Sequence, residues 1–154
     1  MANSLALDYK PAVIAIPTLA QLPAVASVLT SEFKPYTFLR DTALVVEDVL
    51  ASLAQILGDP RLYFRVALAD EVVIGVILGV LGRNALSPRH TYVTEQALWV
   101  AEGARGTSLA ARLLRGLAVW GYNQGARWLC YARPLPPDRS TPTKLVEEVI
   151  WKTL

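Results

Sequence analysis

The sequence has little charge, a single cysteine and a single histidine. Charged residues make up 18% of its 154 residues, whereas hydrophobic residues make up 53%. The lone Cys130 excludes an internal disulfide and a cysteine metal site, and we expect it to be a core residue. The lone His90 has no neighbouring residues at metal-ligand spacing. We therefore expect a packed protein without a bound metal, in a reducing, cytoplasmic setting.

Basic clusters, long apolar runs and common nucleotide-binding motifs are also missing. The net charge of +2 is spread along the chain, so the electrostatic signature of a nucleic-acid partner is absent. The longest apolar run, residues 72–82, is shorter than the roughly 20 residues that span a bilayer. The N-terminus has no pattern of a signal peptide, and neither a Gly-x-Gly-x-x-Gly nor a Gly-Lys-Ser/Thr motif occurs. We expect no nucleic-acid partner and no membrane association.

The hydrophobic patterning predicts one domain over residues 1–154, with alternating helices and strands. A strand over 12–18 leads into a helix with a capping box formed by Thr18 and Gln21. A second helix, capped by Asp41, is predicted from Thr42 to Leu57. The other predicted elements are strands at 62–68 and 72–81 joined by a turn at Asp70–Glu71, a strand at 92–100, a helix at 107–124, a strand at 127–132, a proline-rich loop at 133–143 and a terminal strand. This order predicts an α/β protein with a mixed sheet.

The segment VAEGARGTSLAARLL, residues 100–114, places small residues after an arginine and before an amphipathic helix. The simpler interpretation is that Thr107 caps the helix. The functional one is a phosphate site, because the free amides of a helix N-terminus attract anions and small residues let a ligand approach the backbone. Arg105 adds positive charge at the entrance, and Arg112 and Arg115 follow on the helix, where they could contact further phosphates.

The same segment resembles the acetyl-CoA signature of the GNAT (general N-acetyltransferase) superfamily. In that signature, Arg/Gln-x-x-Gly-x-Gly/Ala opens a helix after an apolar strand; here it reads Arg105-Gly106-Thr107-Ser108-Leu109-Ala110, with Ser108 at the usual central glycine. A serine keeps the turn if its backbone angles are ordinary. The similarity extends from about Val13 to Ala132, and the compact chain is similar to phage-encoded members.

The resemblance implies a GNAT-like mixed, mostly antiparallel central sheet flanked by helices. It also implies acetyl-CoA as cosubstrate. Its pyrophosphate would lie on Arg105 and the backbone amides of Gly106, Thr107, Ser108, Leu109 and Ala110. Its pantetheine arm would contact the backbone of Leu98, Trp99 and Val100 like an added strand, with the Val100 amide stabilising the oxyanion.

Acetyl transfer to an amine requires a base, and the resemblance implies Glu95. The alternative is that Glu95 is a solvent-facing strand residue. The family often supplies a tyrosine acid from a helix after the fifth strand, in a pattern that this sequence lacks. Tyr131 is the nearest candidate for that acid, although strand alternation could equally bury it.

The resemblance predicts an N-acetyltransferase that acts on a primary amine of a protein or a small molecule. The alternative is a catalytically inactive GNAT-like structural or protein-interaction module, favoured by Ser108, the missing tyrosine pattern and the proline-rich loop. In the family, the segment between the first two helices binds the acceptor, so Tyr36, Phe38 and Arg40 are candidates. The terminal strand with Trp151 could pair with its own sheet or with a second copy as a homodimer.

Overall fold

The computed structural model describes residues 11–32, 44–134 and 147–154. These residues contain three α-helices and six strands. The elements are β1 (Val13–Ala15), α1 (Leu22–Ser31), α2 (Val46–Ile56), β2 (Leu62–Ala69), β3 (Val72–Asn84), β4 (Ser87–Val100), α3 (Leu109–Asn123), β5 (Ala126–Pro134) and β6 (Glu147–Thr153). The predicted α/β class and the predicted order of elements are confirmed.

The six strands lie in a single sheet in sequence order, β1 to β6. Neighbouring strands are antiparallel except β4 and β5, which are parallel because α3 connects them as a crossover. The expected mixed, mostly antiparallel sheet is therefore confirmed. No helix among the described residues is long and apolar enough to cross a membrane.

The first helix begins with the predicted capping box. The Thr18 amide donates to Gln21 Oε1 at 2.9 Å, and the Gln21 amide donates to the Thr18 carbonyl at 3.0 Å. A short 3₁₀ turn over Leu19–Gln21 precedes α1, so the regular α-helix starts a few residues later than predicted. Pro23 lies in the first turn, where its missing amide has no intrahelical partner to lose.

The second helix is shorter than predicted. It begins at Val46, with Val45 as an extended N-cap residue at φ −91° and ψ 127°, so the predicted start at Thr42 is wrong. Glu47 and Asp48 lie in the first turn, where carboxylates interact favourably with the helix dipole, and no side chain caps the helix. Asp41 and Thr42 lie outside the described residues.

The central hairpins follow the sequence signals, with longer strands. Asp70 and Glu71 both have positive φ, at 46° and 70°, as a two-residue turn of the mirror-image type requires. The strand predicted to begin at Tyr92 starts at Ser87, because Ser87 already pairs with Asn84 at the end of β3.

The strand predicted to end before Arg133 continues to Pro134, since β5 pairs with β6 as far as Glu147.

The helices cover the two faces of the sheet and form two hydrophobic clusters. On one face, Leu109, Leu113 and Leu117 of α3 are almost fully buried, and Trp120 packs against them, as predicted. On the other face, α1 and α2 pack on β2, β3 and the second half of β4. Gly79 makes the α3 contact close, because a Cβ there would lie 2.3 Å from Leu117. These clusters fix β4 and α3, which carry the candidate site.

Candidate active site

The pairing between β4 and β5 stops half-way along β4. The two strands are in register from Thr91 with Ala126 to Thr94 with Cys130. Beyond Thr94, β4 continues to Val100 beside β3, and β5 continues to Pro134 beside β6. Among the described strands, residues 95–100 of β4 therefore have a neighbour on one side only. The strands leave a gap between them at the end where β4 leads to α3.

The backbone of β4 presents alternate residues to this gap. The Ala101 amide donates to the Ile74 carbonyl at 2.9 Å, and Gly75 is opposite Val100, which makes these two a non-hydrogen-bonded pair. The amide and carbonyl of Val100 consequently point away from β3, towards the gap. By alternation those of Leu98 do the same, whereas those of Trp99 pair with β3. Backbone contacts to an added strand would come from Leu98 and Val100.

A β-bulge lies in β4 where the gap begins. Ala97 is opposite Leu78 but Glu95 is opposite Gly79, so Gln96 is an extra residue in the ladder. A bulge bends its strand and redirects the neighbouring side chains. Glu95 shares the sheet face of Gly79, the face that α3 covers, and it is 7% exposed. The expectation that it faces solvent is therefore wrong.

The loop between β4 and α3 turns at Gly106. Its φ of +78° lies in the left-handed region, and the space around its missing Cβ is open. Ser108 has φ −73° and ψ 1°, ordinary angles for a serine, so its place in the signature costs no backbone strain. Ser108 is the N-cap residue by position, while the Thr107 hydroxyl accepts the Leu109 amide at 3.3 Å and donates to the Ala104 carbonyl at 2.6 Å.

Several amides at the start of α3 are free to bind an anion. The Leu109 amide contacts Thr107, and the Arg112 amide begins the helical ladder on the Ser108 carbonyl at 2.9 Å. Among the described residues, no acceptor pairs with the other amides of this turn, those of Gly106, Thr107, Ser108, Ala110 and Ala111. The turn is therefore a set of convergent donors at the positive end of a 15-residue helix, immediately beside the gap.

The catalytic candidates on β4 and β5 lie just beyond the last paired residues of the two strands. Thr94 and Cys130 are the last paired residues, and Glu95 and Tyr131 follow them directly. Tyr131 is partly buried and packs against the α3 cluster, so it shares the sheet face of Glu95. The fold thus places a carboxyl and a phenol on neighbouring strands at the closed end of the gap.

Comparison with known proteins agrees with this geometry. The model of the Acetyltransferase (GNAT) family matches residues 25–137, which is most of the chain. The chain belongs to the GNAT acetyltransferase family. No curated protein sequence matches it.

Solved structures show the same GNAT fold at low sequence identity. An N-acetyltransferase from Staphylococcus aureus Mu50 is 18% identical with a TM-score of 0.66, over 85% of this chain and 78% of that one. AAC(6')-Iy, solved with the bisubstrate analogue CoA-S-monomethyl-acetylneamine, is 20% identical with a TM-score of 0.62, over 85% and 84%. An acetyltransferase from Thermus thermophilus is 16% identical with a TM-score of 0.62, over 95% and 99%.

The arginines of this GNAT domain differ in what they contact. Arg105 folds back, and its Nε donates to the Val100 carbonyl at 3.1 Å, so it contacts one of the backbone groups that face the gap. Arg112 donates to the Ala12 carbonyl at 2.9 Å, which ties α3 to the residue before β1. Arg115 lines a groove between α3, β5 and β6 together with Tyr131 and Lys152. Of these three arginines, Arg105 is therefore the one that lies beside the α3 turn.

Cys130 is a buried thiol next to the closed end of the gap. Burial raises the pKa of its thiol, and the negative charge of Glu95 raises it further. The thiol is therefore held in its neutral form, which is a poor nucleophile. This agrees with a core role for Cys130.

The structure leaves some candidates untested and adds others. Tyr36, Phe38 and Arg40 lie outside the described residues, as does the side chain of Trp151. A groove near the β3–β4 hairpin, lined in part by Tyr92 and Trp128, was not predicted. The sequence signal for this groove was weak, because it consisted of two aromatic residues on different strands. Only the register between the parallel strands β4 and β5 brings them side by side.

Proposed function

We propose that this GNAT protein is an acetyl-CoA-dependent N-acetyltransferase that modifies a primary amine of a small molecule or a protein. One observation carries the proposal: the half of β4 that no other described strand pairs with opens directly beside the α3 turn, whose amides have no acceptor among the described residues. An extended amide-containing chain ending in a diphosphate matches both features, because it can add to a strand edge while its anionic end lies on helix amides.

The residues present fit this cosubstrate. Leu98 offers a backbone donor and acceptor to its pantetheine amides, and the Val100 carbonyl offers a further acceptor. The amides of Gly106, Thr107, Ser108 and Ala110 surround the position of its pyrophosphate, and Leu109 anchors the turn in the core. The exposed guanidinium of Arg105 adds charge while its Nε holds the Val100 carbonyl.

The proposed chemistry uses three groups along the gap, two at its closed end and one where β4 ends. The Glu95 carboxylate accepts a proton from the amine, whose nitrogen then forms a C–N bond with the acetyl carbon as the C–S bond breaks. The Val100 amide donates to the carbonyl oxygen while negative charge develops there. Tyr131 donates a proton to the leaving thiolate. The products are an N-acetylated acceptor and free CoA.

The test is a calorimetric titration with acetyl-CoA of three proteins: wild type, Gly106→Trp and Gly125→Trp. Gly106 and Gly125 have matching φ values of +78° and +81°, and both have open space at the missing Cβ. Each tryptophan therefore imposes similar backbone strain, but only the one at position 106 covers the amides of the α3 turn.

Binding by wild type and Gly125→Trp, with loss of binding by Gly106→Trp, is the expected result. The binding variants are then assayed for CoA release with amine acceptors. A folded wild-type protein that gives no heat with acetyl-CoA would contradict the proposal and favour a GNAT-like interaction module.

A further inference from the structure

A groove of about 540 Å³ lies at the far end of β4 from the α3 turn. It is lined by Arg83, Asn84, Ala85, Tyr92 and Trp128. Tyr92 on β4 and Trp128 on β5 are directly opposite each other in the paired part of the two strands, so their side chains form adjacent parts of its floor. Its volume falls within the roughly 300–1,000 Å³ that is usual for small-molecule sites.

This groove opens on the sheet face opposite α3. Val93 and Leu129 belong to the α3 cluster, and a Cβ on Gly121 of α3 would lie 2.5 Å from Val93. Because side chains alternate along a strand, Tyr92 and Trp128 point to the other face. Helices α1 and α2 cover that face only over β2, β3 and the second half of β4. Neither of these two helices covers the aromatic pair, and both side chains are partly exposed.

Local contacts hold the floor of the groove in place. A Cβ on Gly82 would lie 2.7 Å from the Tyr92 ring, so the ring packs over backbone that only glycine leaves clear. The His90 ring meets the Trp128 ring edge-on at 5.7 Å between centroids, and a hydrogen bond of 2.6 Å joins His90 Nδ1 to Ser87 Oγ. The two aromatic surfaces are thus fixed before any ligand binds.

The rim of the groove is cationic and polar. Arg83 is exposed, and within the described part of the chain no carboxylate pairs with its guanidinium. Asn84 uses its Oδ1 to accept the Leu86 amide at 2.9 Å, which leaves its amide NH₂ as a donor. The described lining residues include no acid. This surface suits a planar ring with an anionic or acceptor substituent, and does not suit a polycation.

The groove is close to the proposed reaction centre. Tyr92 and Trp128 precede the last paired residues, Thr94 and Cys130, by two positions. Two strand residues span about 7 Å, roughly the length of a substituted benzene ring. Thr94 and Cys130 share the face of the groove, so a ligand on the aromatic floor can extend past these smaller side chains to the gap.

We propose that this groove binds the body of the amine acceptor, and that the acceptor is an arylalkylamine with an acidic group at the end remote from its amine. The inference rests on the proposed acetyltransferase function. The ring lies on Tyr92 and Trp128, the acidic group pairs with Arg83, and the amine enters the gap beside Glu95. The cosubstrate takes the α3 side of the gap, so the two substrates approach from opposite faces of the sheet.

The probe is 4-(aminomethyl)benzoate, compared with 4-methylbenzylamine, which lacks the acid, and with spermidine. Binding is first measured without acetyl-CoA, by saturation transfer from protein to the ring protons in NMR, and then CoA release is measured for each amine. We expect the benzoate to bind and to have the highest kcat/KM.

Two substitutions and one control assign the effect to the groove. Arg83→Gln is expected to raise KM for the benzoate about tenfold, the effect of losing a charged hydrogen bond, with little change for 4-methylbenzylamine. Trp128→Leu is expected to weaken both aromatic amines. Arg127→Gln changes an exposed arginine next to Trp128 that is not one of the described residues lining the groove, and is expected to leave all three unchanged.

The proposal is overturned if the benzoate does not bind, if Trp128→Leu binds it as well as wild type, or if spermidine is the better acceptor. Failure of the acetyltransferase function appears separately, as the absence of acetyl-CoA binding in calorimetry. Because the NMR experiment needs no cosubstrate, it tests whether the groove binds the benzoate whether or not the protein binds acetyl-CoA.

Discussion

The two halves of β4 differ in what their backbone is used for. From Thr91 to Thr94 the strand has β3 on one side and β5 on the other, and from Glu95 to Val100 it pairs, within the described part of the chain, with β3 alone. The first half has its backbone committed to the sheet, whereas the second half leaves alternate amides and carbonyls exposed to a gap. One strand can therefore be structural along part of its length and offer its backbone to a ligand along the rest.

The largest expected effect is on turnover, from a change at the start of the unpaired half. Glu95→Gln keeps the shape of the side chain but removes the proposed base, so kcat should fall by about 10²–10⁴-fold. The Kd for acetyl-CoA should not change, because Glu95 lies at the closed end of the gap and not at the turn. Steady-state kinetics and calorimetry measure the two quantities. An unchanged kcat would show that another group takes the proton.

A change in the paired half should act on stability instead. Leu129, 2% exposed and opposite Val93, is part of the α3 cluster. Leu129→Ala should lower the free energy of unfolding by about 2–5 kcal/mol, through lost burial and the cavity left behind. Urea denaturation measures the loss. A changed Kd for acetyl-CoA in the folded Leu129→Ala protein would contradict the separation of stability in the paired half from binding in the unpaired half.

A smaller effect, on the affinity for acetyl-CoA, should distinguish the contribution of the Arg105 charge from that of its hydrogen bond. Arg105→Lys keeps the positive charge but removes the Nε donor to the Val100 carbonyl. We expect acetyl-CoA binding to weaken by about 0.5–1.5 kcal/mol, the usual net worth of one hydrogen bond. Arg112→Lys on the same helix is the control, because Arg112 contacts Ala12 instead. No weakening in Arg105→Lys would mean that its charge alone matters, and equal weakening in both variants would mean that the contact with Val100 has no special role.

The smallest expected effect is on the titration of Cys130, at the boundary of the two halves. Since burial and then Glu95 raise the pKa of this thiol, its thiolate should form at higher pH in the native protein than in the unfolded chain. Alkylation by iodoacetamide, followed against pH, should show that upward displacement. Glu95→Gln should move the native midpoint down. No movement would mean that the Glu95 charge does not reach the thiol.

Much of the fold was predictable because local patterns matched local structure. The capping box at Thr18, the hairpin turn at Asp70–Glu71 and the buried leucines of α3 all depend on neighbours in sequence. The start of α2 was not predictable from Asp41, because helical periodicity continues through residues that the tertiary structure leaves extended, such as Val45. The start of β4 at Ser87 was missed because it depends on pairing with β3.

The candidate site divides in the same way. The turn at Gly106, with small residues before an amphipathic helix, is a signal contained in one short segment. Glu95 lies on the α3 face by alternation from Val93, but only the ladder shows that the extra residue Gln96 then turns Ala97 to the other face. The placement of Glu95 and Tyr131 on neighbouring strands depends on the register between β4 and β5. The pairing of Tyr92 with Trp128 depends on that register too. Because these residues of β4 and β5 are far apart in the sequence, no local sequence pattern predicts that they lie side by side.

By itself, the sequence determined the class of fold, the order of its elements and the donor-rich turn before α3. These features follow from backbone preferences and from hydrophobic periods within a few residues. Only the tertiary structure decided where β4 and β5 stop pairing, which face each side chain takes beyond the bulge, and which residues lie together at the gap. The physical reason is that strand register is fixed by long-range hydrogen bonds and by burial against α3, and a shift of one residue would move every side chain to the other face.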